Sequence, residues 1–303
     1  MSELNQVFGD LIETSVSARM TEFKSEVDAT ITAKIEALDL TKLVTPRHKT
    51  IILKNSQGKK IKKIEGFFHK DFVTVLQCIQ SKVHTVLIGD TGSGKSFLAE
   101  QVAEALDIPF HCTGTTSQEH KLVGYGDAKG DYVMSLLYRA VKNGGLMCLD
   151  ELDSWCPNVT LLMNSLLSNG YCEFPVHGMV YAHKDFRVLA CMNTTGKGAT
   201  REYVGRNRLD AAFLARFTAM ITIDIDEDLE MNFAENLEYT IKVIKTRKAI
   251  SDLGMPYILS PRQGNSGAKL LASGMNEKIV DQVTIWRDMP DSDIKKVKNQ
   301  LTK

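Results

Sequence analysis

Neither sign of charge predominates in this chain: 37 Lys and Arg face 37 Asp and Glu, a formal net charge of zero. A broad nucleic-acid surface usually carries a positive excess, so such a partner is disfavoured though not excluded. No stretch approaches the roughly 18 consecutive apolar residues that a membrane span requires. The opening MSELNQVFGD has neither the basic start nor the apolar centre of a secretory signal, so the expected location is cytoplasmic. The six cysteines (Cys78, Cys112, Cys148, Cys156, Cys172, Cys191) form no C-x-x-C pair, and several sit in apolar runs. They read as reduced, buried thiols. There is no internal repeat and no low-complexity tract. These absences exclude a collagen, a coiled-coil rod, a disordered tail and a disulfide scaffold. What is present is ordinary for a globular protein: 303 residues, 43% hydrophobic and 24% charged. At about 150 residues per domain this allows roughly two domains.

Residues 1–44 read as a helical N-terminal arm, with Leu4, Phe8, Leu11, Phe23, Val27, Ile31, Ile35 and Leu38 spaced mostly by three or four. Such an arm either packs on the main domain or docks a partner. Residues 45–70 contain a β-hairpin, two apolar-rich runs flanking Asn55-Ser56-Gln57-Gly58. Its lysines, Lys54, Lys59, Lys60, Lys62 and Lys63, form a solvated edge or a face for an acidic partner. Residues 71–226 alternate strand-like and helix-like segments. The strands expected are His84–Ile88, Pro109–Cys112, Leu146–Leu149, Arg187–Met192 and Ala219–Asp224. Apolar strands alternating with helices predict a mostly parallel sheet covered on both faces. Residues 227–303 read as a small all-α unit broken at Pro256, Pro261 and Pro290.

The strongest motif is Gly89-Asp90-Thr91-Gly92-Ser93-Gly94-Lys95-Ser96, which fits G-x-x-x-x-G-K-[ST] between an apolar run and a helical run. Glycines let the backbone turn its N–H groups inward as an anion nest, and the next helix adds its positive end. Lys95 is then the residue to reach the β- and γ-phosphates, and the Ser96 hydroxyl a ligand for Mg²⁺. Asp90 is an odd neighbour for a triphosphate unless its side chain turns away. Leu146–Leu149 runs into Asp150 and Glu151, two carboxylates at the end of a buried strand. Asp150 is the expected Mg²⁺ partner and Glu151 the general base for an attacking water. Asp153 and Trp155 are expected to position this turn. Asn193, ending RVLACMN, either orients that water or starts a turn.

In order along the chain, GDTGSGKS, LMCLDE, LACMNTTGKG, GRNRLDAAFLARF and ILSPR resemble the AAA+ ATPases. The phrase AHKDFRVLACMNTTGKG and the following YVGRNRLDAAFLARF are similar to the MoxR-like branch, which includes the ATPase subunit of aerobic cobaltochelatase and has bacteriophage-encoded members. The resemblance spans residues from about 66 to 265. It implies an α/β P-loop AAA+ core, with a parallel sheet flanked by helices and a small all-α lid, and an enzyme that hydrolyses ATP with Mg²⁺. It implies a sensor role for Asn193 and an arginine finger at Arg216, with Arg206 and Arg208 as rivals. It also implies a lid arginine at Arg262 that contacts the nucleotide. A finger acting between subunits implies a homo-oligomeric, typically hexameric, ring that remodels a protein client in chaperone-like fashion, at times with a separate von Willebrand-type partner. Residues 121–133 and 171–184 match hairpins that in the family face a ring pore or a partner. His177 and His183 invite a metal reading, but no Cys or carboxylate pattern accompanies them. Three other readings stay open: the motor of a metal chelatase, a DNA-linked NTPase acting through the lysine hairpin, and a slow nucleotide-dependent scaffold.

Overall fold

Five short apolar runs set the architecture. In the computed structural model they become β3 (Thr85–Ile88), β4 (Phe110–Thr113), β7 (Gly145–Leu149), β10 (Phe186–Met192) and β11 (Ala219–Thr222). All five are parallel, in the spatial order β11-β3-β10-β7-β4. The structure describes residues 49–54 and 60–302, within a unit that runs from Arg47 to Lys303. The helical arm expected over residues 1–44 and the turn at 55–58 lie outside the described residues.

The strands are apolar at nearly every position because both faces are covered. Leu87, Leu146, Cys148, Leu189 and Cys191 face one layer, made by α1 (Phe72–Gln80) and α2 (Lys95–Leu106). Val86, Met147, Leu149, Val188 and Ala190 face the other, where Trp155, Val159 and Met163 pack. Each fully buried Leu, Val or Met side chain contributes about 1.5–3 kcal/mol over an exposed one. Ala190 lies opposite Val86 on one side and Leu149 on the other, so β3 and β10 end together, two residues beyond the end of β7.

The expected hairpin consists of β1 (Lys49–Lys54) and β2 (Lys60–Gly66), with Ile51 opposite Ile64. Both isoleucines, with Phe68, pack against the α1–α2 side of the core. After α3 (Glu119–Val123) comes a small hairpin, β5 (Tyr125–Gly126) with β6 (Tyr132–Val133). Then follow α4 (Leu136–Asn143), a 3-10 turn at Leu152–Ser154, α5 (Pro157–Leu161) and α6 (Asn164–Asn169). A second hairpin pairs β8 (Tyr171–Phe174) with β9 (Gly178–Tyr181). His177, at its tip, stacks on Tyr138 of α4 with ring centroids 4.8 Å apart. Helix α7 (Ala211–Leu214) precedes β11.

The C-terminal segment forms α8 (Glu227–Asn232), α9 (Leu237–Asp252), α10 (Pro261–Ala272), α11 (Glu277–Thr284) and α12 (Asp291–Leu301). Its core is its own: Tyr239, Val243, Ile250, Val280, Trp286 and Val297 are all buried together. Asp226, Asn236 and Asn276 accept backbone N–H bonds at their helix starts. Such caps contribute about 1 kcal/mol each.

The helical pattern is interrupted at the three prolines, Pro256 lying between α9 and α10 while Pro261 and Pro290 open the helices that follow each break. Pro261 occupies the first turn of α10 and Pro290 precedes α12, positions where the missing N–H has no helical partner to lose. Cys112 is exposed, although Cys148, Cys172 and Cys191 are buried, because β4 is the edge strand of the sheet. The strand limits also shift: His84, Pro109 and Asp224 fall just outside β3, β4 and β11.

Candidate nucleotide site

Ligands of open parallel sheets bind beyond the carboxyl ends of the strands. Here β3, β10 and β7 are neighbours, and they deliver residues 89–96, Asn193 and the pair Asp150-Glu151 to one place. Sequence order gives no hint of this, because β10 follows β7 in the chain yet lies between β7 and β3.

The loop after β3 is shaped by its glycines. A Cβ on Gly89 would stand 2.0 Å from the Ile223 carbonyl oxygen, so only glycine permits this approach to the chain after β11. Gly92 has φ +83°, and a Cβ there would meet Ser260 at 2.7 Å. That contact brings the start of α10 against the loop. Ser260 N–H donates to Gln263 Oε1 at 3.0 Å, which fixes the start of that helix. Ser93 is buried and its hydroxyl has no partner among the described residues.

Lys95 is buried at the first turn of α2. Its Nζ donates to the carbonyls of Gly89 at 2.7 Å and Asp90 at 2.9 Å, and to Asn193 Oδ1 at 3.0 Å. Burial lowers its pKa, against the pull of Cys191, Asp150, Asp90 and Asp153. Ser96 Oγ donates to Asp150 Oδ2 at 2.9 Å, so the two expected metal ligands already touch. Trp155 Nε1 donates to the Asp150 carbonyl at 2.9 Å.

Glu151 takes a left-handed backbone, φ +50°, uncommon for a residue with a Cβ. Its Oε2 accepts from Thr115 Oγ1 at 3.1 Å and lies 3.6 Å from Arg206 Nη1. Asp153 is fully buried. Its Oδ2 accepts from Asn193 N at 3.1 Å, Thr194 N at 2.8 Å and Thr194 Oγ1 at 2.9 Å, tying the turn after β7 to the turn after β10.

Asp90 turns outward, where Tyr203 Oη donates to its Oδ1 at 3.2 Å. The same hydroxyl accepts from Thr91 N at 3.0 Å. Burial raises the Tyr203 pKa, keeping the phenol protonated for that bond. Arg262 lines a cleft of about 270 Å³ with Gly94, Lys95, Ser96, Glu151 and Asn193. Its side chain has no hydrogen bond or ion pair among the described residues. A second cleft of about 390 Å³ adjoins the first at Gly92, Gly94 and Phe97, and its wall is apolar: Phe97, Ile225, Leu229 and Phe233. Phe97 and Phe233 meet edge to face, 6.2 Å between centroids.

Of the residues singled out by sequence, Thr91, Gly92, Gly94, Lys95, Ser96, Asp150, Glu151, Asn193 and Arg262 line the first cleft, with Gly89 and Ser93 in the same loop and Asp90 turned away. Arg206 joins them by pairing with Glu151. Arg216 does not: its Nε donates to Ser168 Oγ at 2.7 Å and its Nη1 to the Ala212 carbonyl. Sequence reasoning missed Thr115, Tyr203 and the apolar wall. Thr115 follows the end of β4, so the carboxyl-end rule that flagged Asp150 applies to it too. Tyr203 and Phe233 carry no local signal, since their roles arise from contacts across 112 and 136 residues of chain.

Residues 84–217 match the family described as AAA domain (dynein-related subfamily). Uncharacterized proteins of Staphylococcus aureus strains USA300 and MRSA252 are each 28% identical over 160 residues, covering 48% of this chain and 58% of theirs. The chain thus matches little more than half the length of these curated relatives. Among solved structures, a mutant form of RuvB from Thermotoga maritima has 14% identity and a TM-score of 0.47, covering 73% of this chain and 69% of that one. NtrX from Brucella abortus, solved with ADP, has 16% identity and a TM-score of 0.43, covering 72% and 49%. The phosphate loop, the acidic strand end and the polar strand end all lie inside residues 84–217, the segment that is similar to an AAA domain.

Proposed function

We propose that the chain hydrolyses Mg-ATP as a MoxR-like AAA+ motor, assembles as a homo-oligomeric ring, and uses the cycle to remodel a partner protein. One observation carries the nucleotide reading. Ser96 and Asp150, brought within 2.9 Å from two strand ends, form a hydroxyl–carboxylate pair suited to a hard divalent cation, with Lys95 and Asn193 beside it.

The residues divide the work. The N–H groups of the Gly92–Ser96 turn cradle the phosphates, and Lys95 exchanges its carbonyl partners for phosphate oxygens. Ser96 and Asp150 would hold Mg²⁺, which neutralises phosphate charge when bound. Asn193 orients the attacking water and Glu151 takes its proton as the new bond to the γ-phosphorus forms. The bond to the bridging oxygen breaks, and ADP departs with that electron pair. Arg262 approaches from α10, and the Phe97–Phe233 slot offers a base an apolar surface. Arg216, lying away from its own Glu151, suits a finger that completes a neighbour's site.

Exposed Val133 on one hairpin, and Val176, Met179 and Tyr181 on the other, support a protein client along these hairpins. The DNA-linked reading is weakened: Lys62 donates to the Glu104 carbonyl at 3.0 Å and Lys63 pairs with Glu65.

The test is Mg-ATP turnover per subunit against protein concentration, with Glu151→Gln as the blank. Specific activity should rise with concentration while the blank stays about 10²–10⁴-fold lower. Turnover that is flat and equal to the blank would overturn the motor reading.

A further inference from the structure

By sequence Arg206 is a rival for the intersubunit finger, yet its surroundings tie it to its own chain. Its side chain is only 12% exposed. Nη1 lies 3.6 Å from Glu151 Oε2 and Nε lies 3.6 Å from Asp153 Oδ2. The guanidinium sits over the Tyr203 ring, 5.8 Å from its centroid. The backbone on either side is pinned as well. Asn207 N donates to the Asp153 carbonyl at 2.7 Å, Asn207 Nδ2 donates to the Trp155 carbonyl at 2.9 Å, and Arg208 bridges to Lys197. Asp153 adds a further restraint. It is fully buried, its Oδ1 has no partner among the described residues, and Arg206 is the cation beside it. Withdrawing Arg206 toward a neighbouring subunit would strip that buried carboxylate of its ion-pair partner, at a cost of several kcal/mol.

We propose that Arg206 is a positioning residue acting within its own subunit: with Thr115 it ties down Oε2 of Glu151, so that Oε1 alone points at the attacking water. The inference rests on the reading of Glu151 as the general base. A half-exposed glutamate rotates freely unless one oxygen is fixed, and misplacement of a catalytic group by about 1 Å can cost about 10²-fold in rate. The strained backbone at Glu151 fixes the start of the side chain, and Arg206 and Thr115 fix its end. Arg206 therefore touches neither nucleotide nor water. Its effect belongs in kcat and not in nucleotide affinity.

The experiment uses the full chain carrying Arg206→Lys, which keeps a cation beside Asp153 and so preserves folding, but lacks the fork that reaches both carboxylates. Two quantities are measured: the Kd of a fluorescent ATP analogue, and kcat for Mg-ATP. The expected result is an unchanged Kd with kcat lowered about 10- to 100-fold. An unchanged kcat, or a Kd that weakens in step with kcat, overturns the proposal. Mixing supplies a second readout. Combined with Glu151→Gln subunits, Arg206→Lys should give only the sum of the two parent activities, because both residues serve the same site. Activity above that sum means that Arg206 completes a neighbour's site, and overturns the proposal. Failure of the underlying reading looks different: Glu151→Gln alone would then turn over ATP like the unaltered chain.

Discussion

The two walls of the nucleotide cleft are built differently. The core wall is held by its own hydrogen bonds: Lys95 holds Asn193, Ser96 holds Asp150, and Asp153 holds Asn193 and Thr194. The lid wall is not. Arg262 stands at the start of α10 without a partner among the described residues, on a helical unit whose hydrophobic core is separate from the sheet's. The difference teaches a division of labour. Residues that must hold reacting atoms within a fraction of an ångström sit on buried strand ends and restrain one another. The unpaired Arg262 is carried instead by an element with a hydrophobic core of its own.

This contrast can be broken most severely at Asp153. Asp153→Ala removes the acceptor for three donors and one of the two carboxylates paired with Arg206, so stability should fall by about 3–5 kcal/mol. Thermal unfolding reads this directly, and an unchanged midpoint would mean that the core wall is not held together by this residue. Arg262→Ala should do the opposite. Thermal stability should stay put while nucleotide affinity drops by about 1.5–3 kcal/mol, the worth of a hydrogen bond to a charged group. Titration of the same variant with an ATP analogue checks it, and a fall in stability instead would make Arg262 part of the scaffold. Tyr203→Phe is the finest probe. It deletes the hydroxyl that joins Asp90 and Thr91, both close to solvent, and should cost about 1 kcal/mol in stability. A larger loss would extend the wired wall to the 200–208 segment.

The legibility of the site follows the same divide. The loop at 89–96 and the acids at 150–151 are readable because each follows an apolar run, and strand–loop–helix context is a local property. Asn193 is readable for the same reason. The partnership of Arg206 with Glu151 is not, because 55 residues and three strands separate them. Nor is the apolar slot, since Phe97 lies on α2 and Phe233 just after α8.

By itself, then, the sequence determined which segments become strands, which loop has the glycine pattern of a phosphate cradle and which polar side chains follow the strand ends, because these depend on period, glycine and the residue that follows each apolar run. Only the tertiary structure decided that β10 slides between β3 and β7, and with it which carboxylate, lysine and amide meet. Strand order is set by how helices pack on both faces of the whole sheet, an energy summed over residues far apart in the chain.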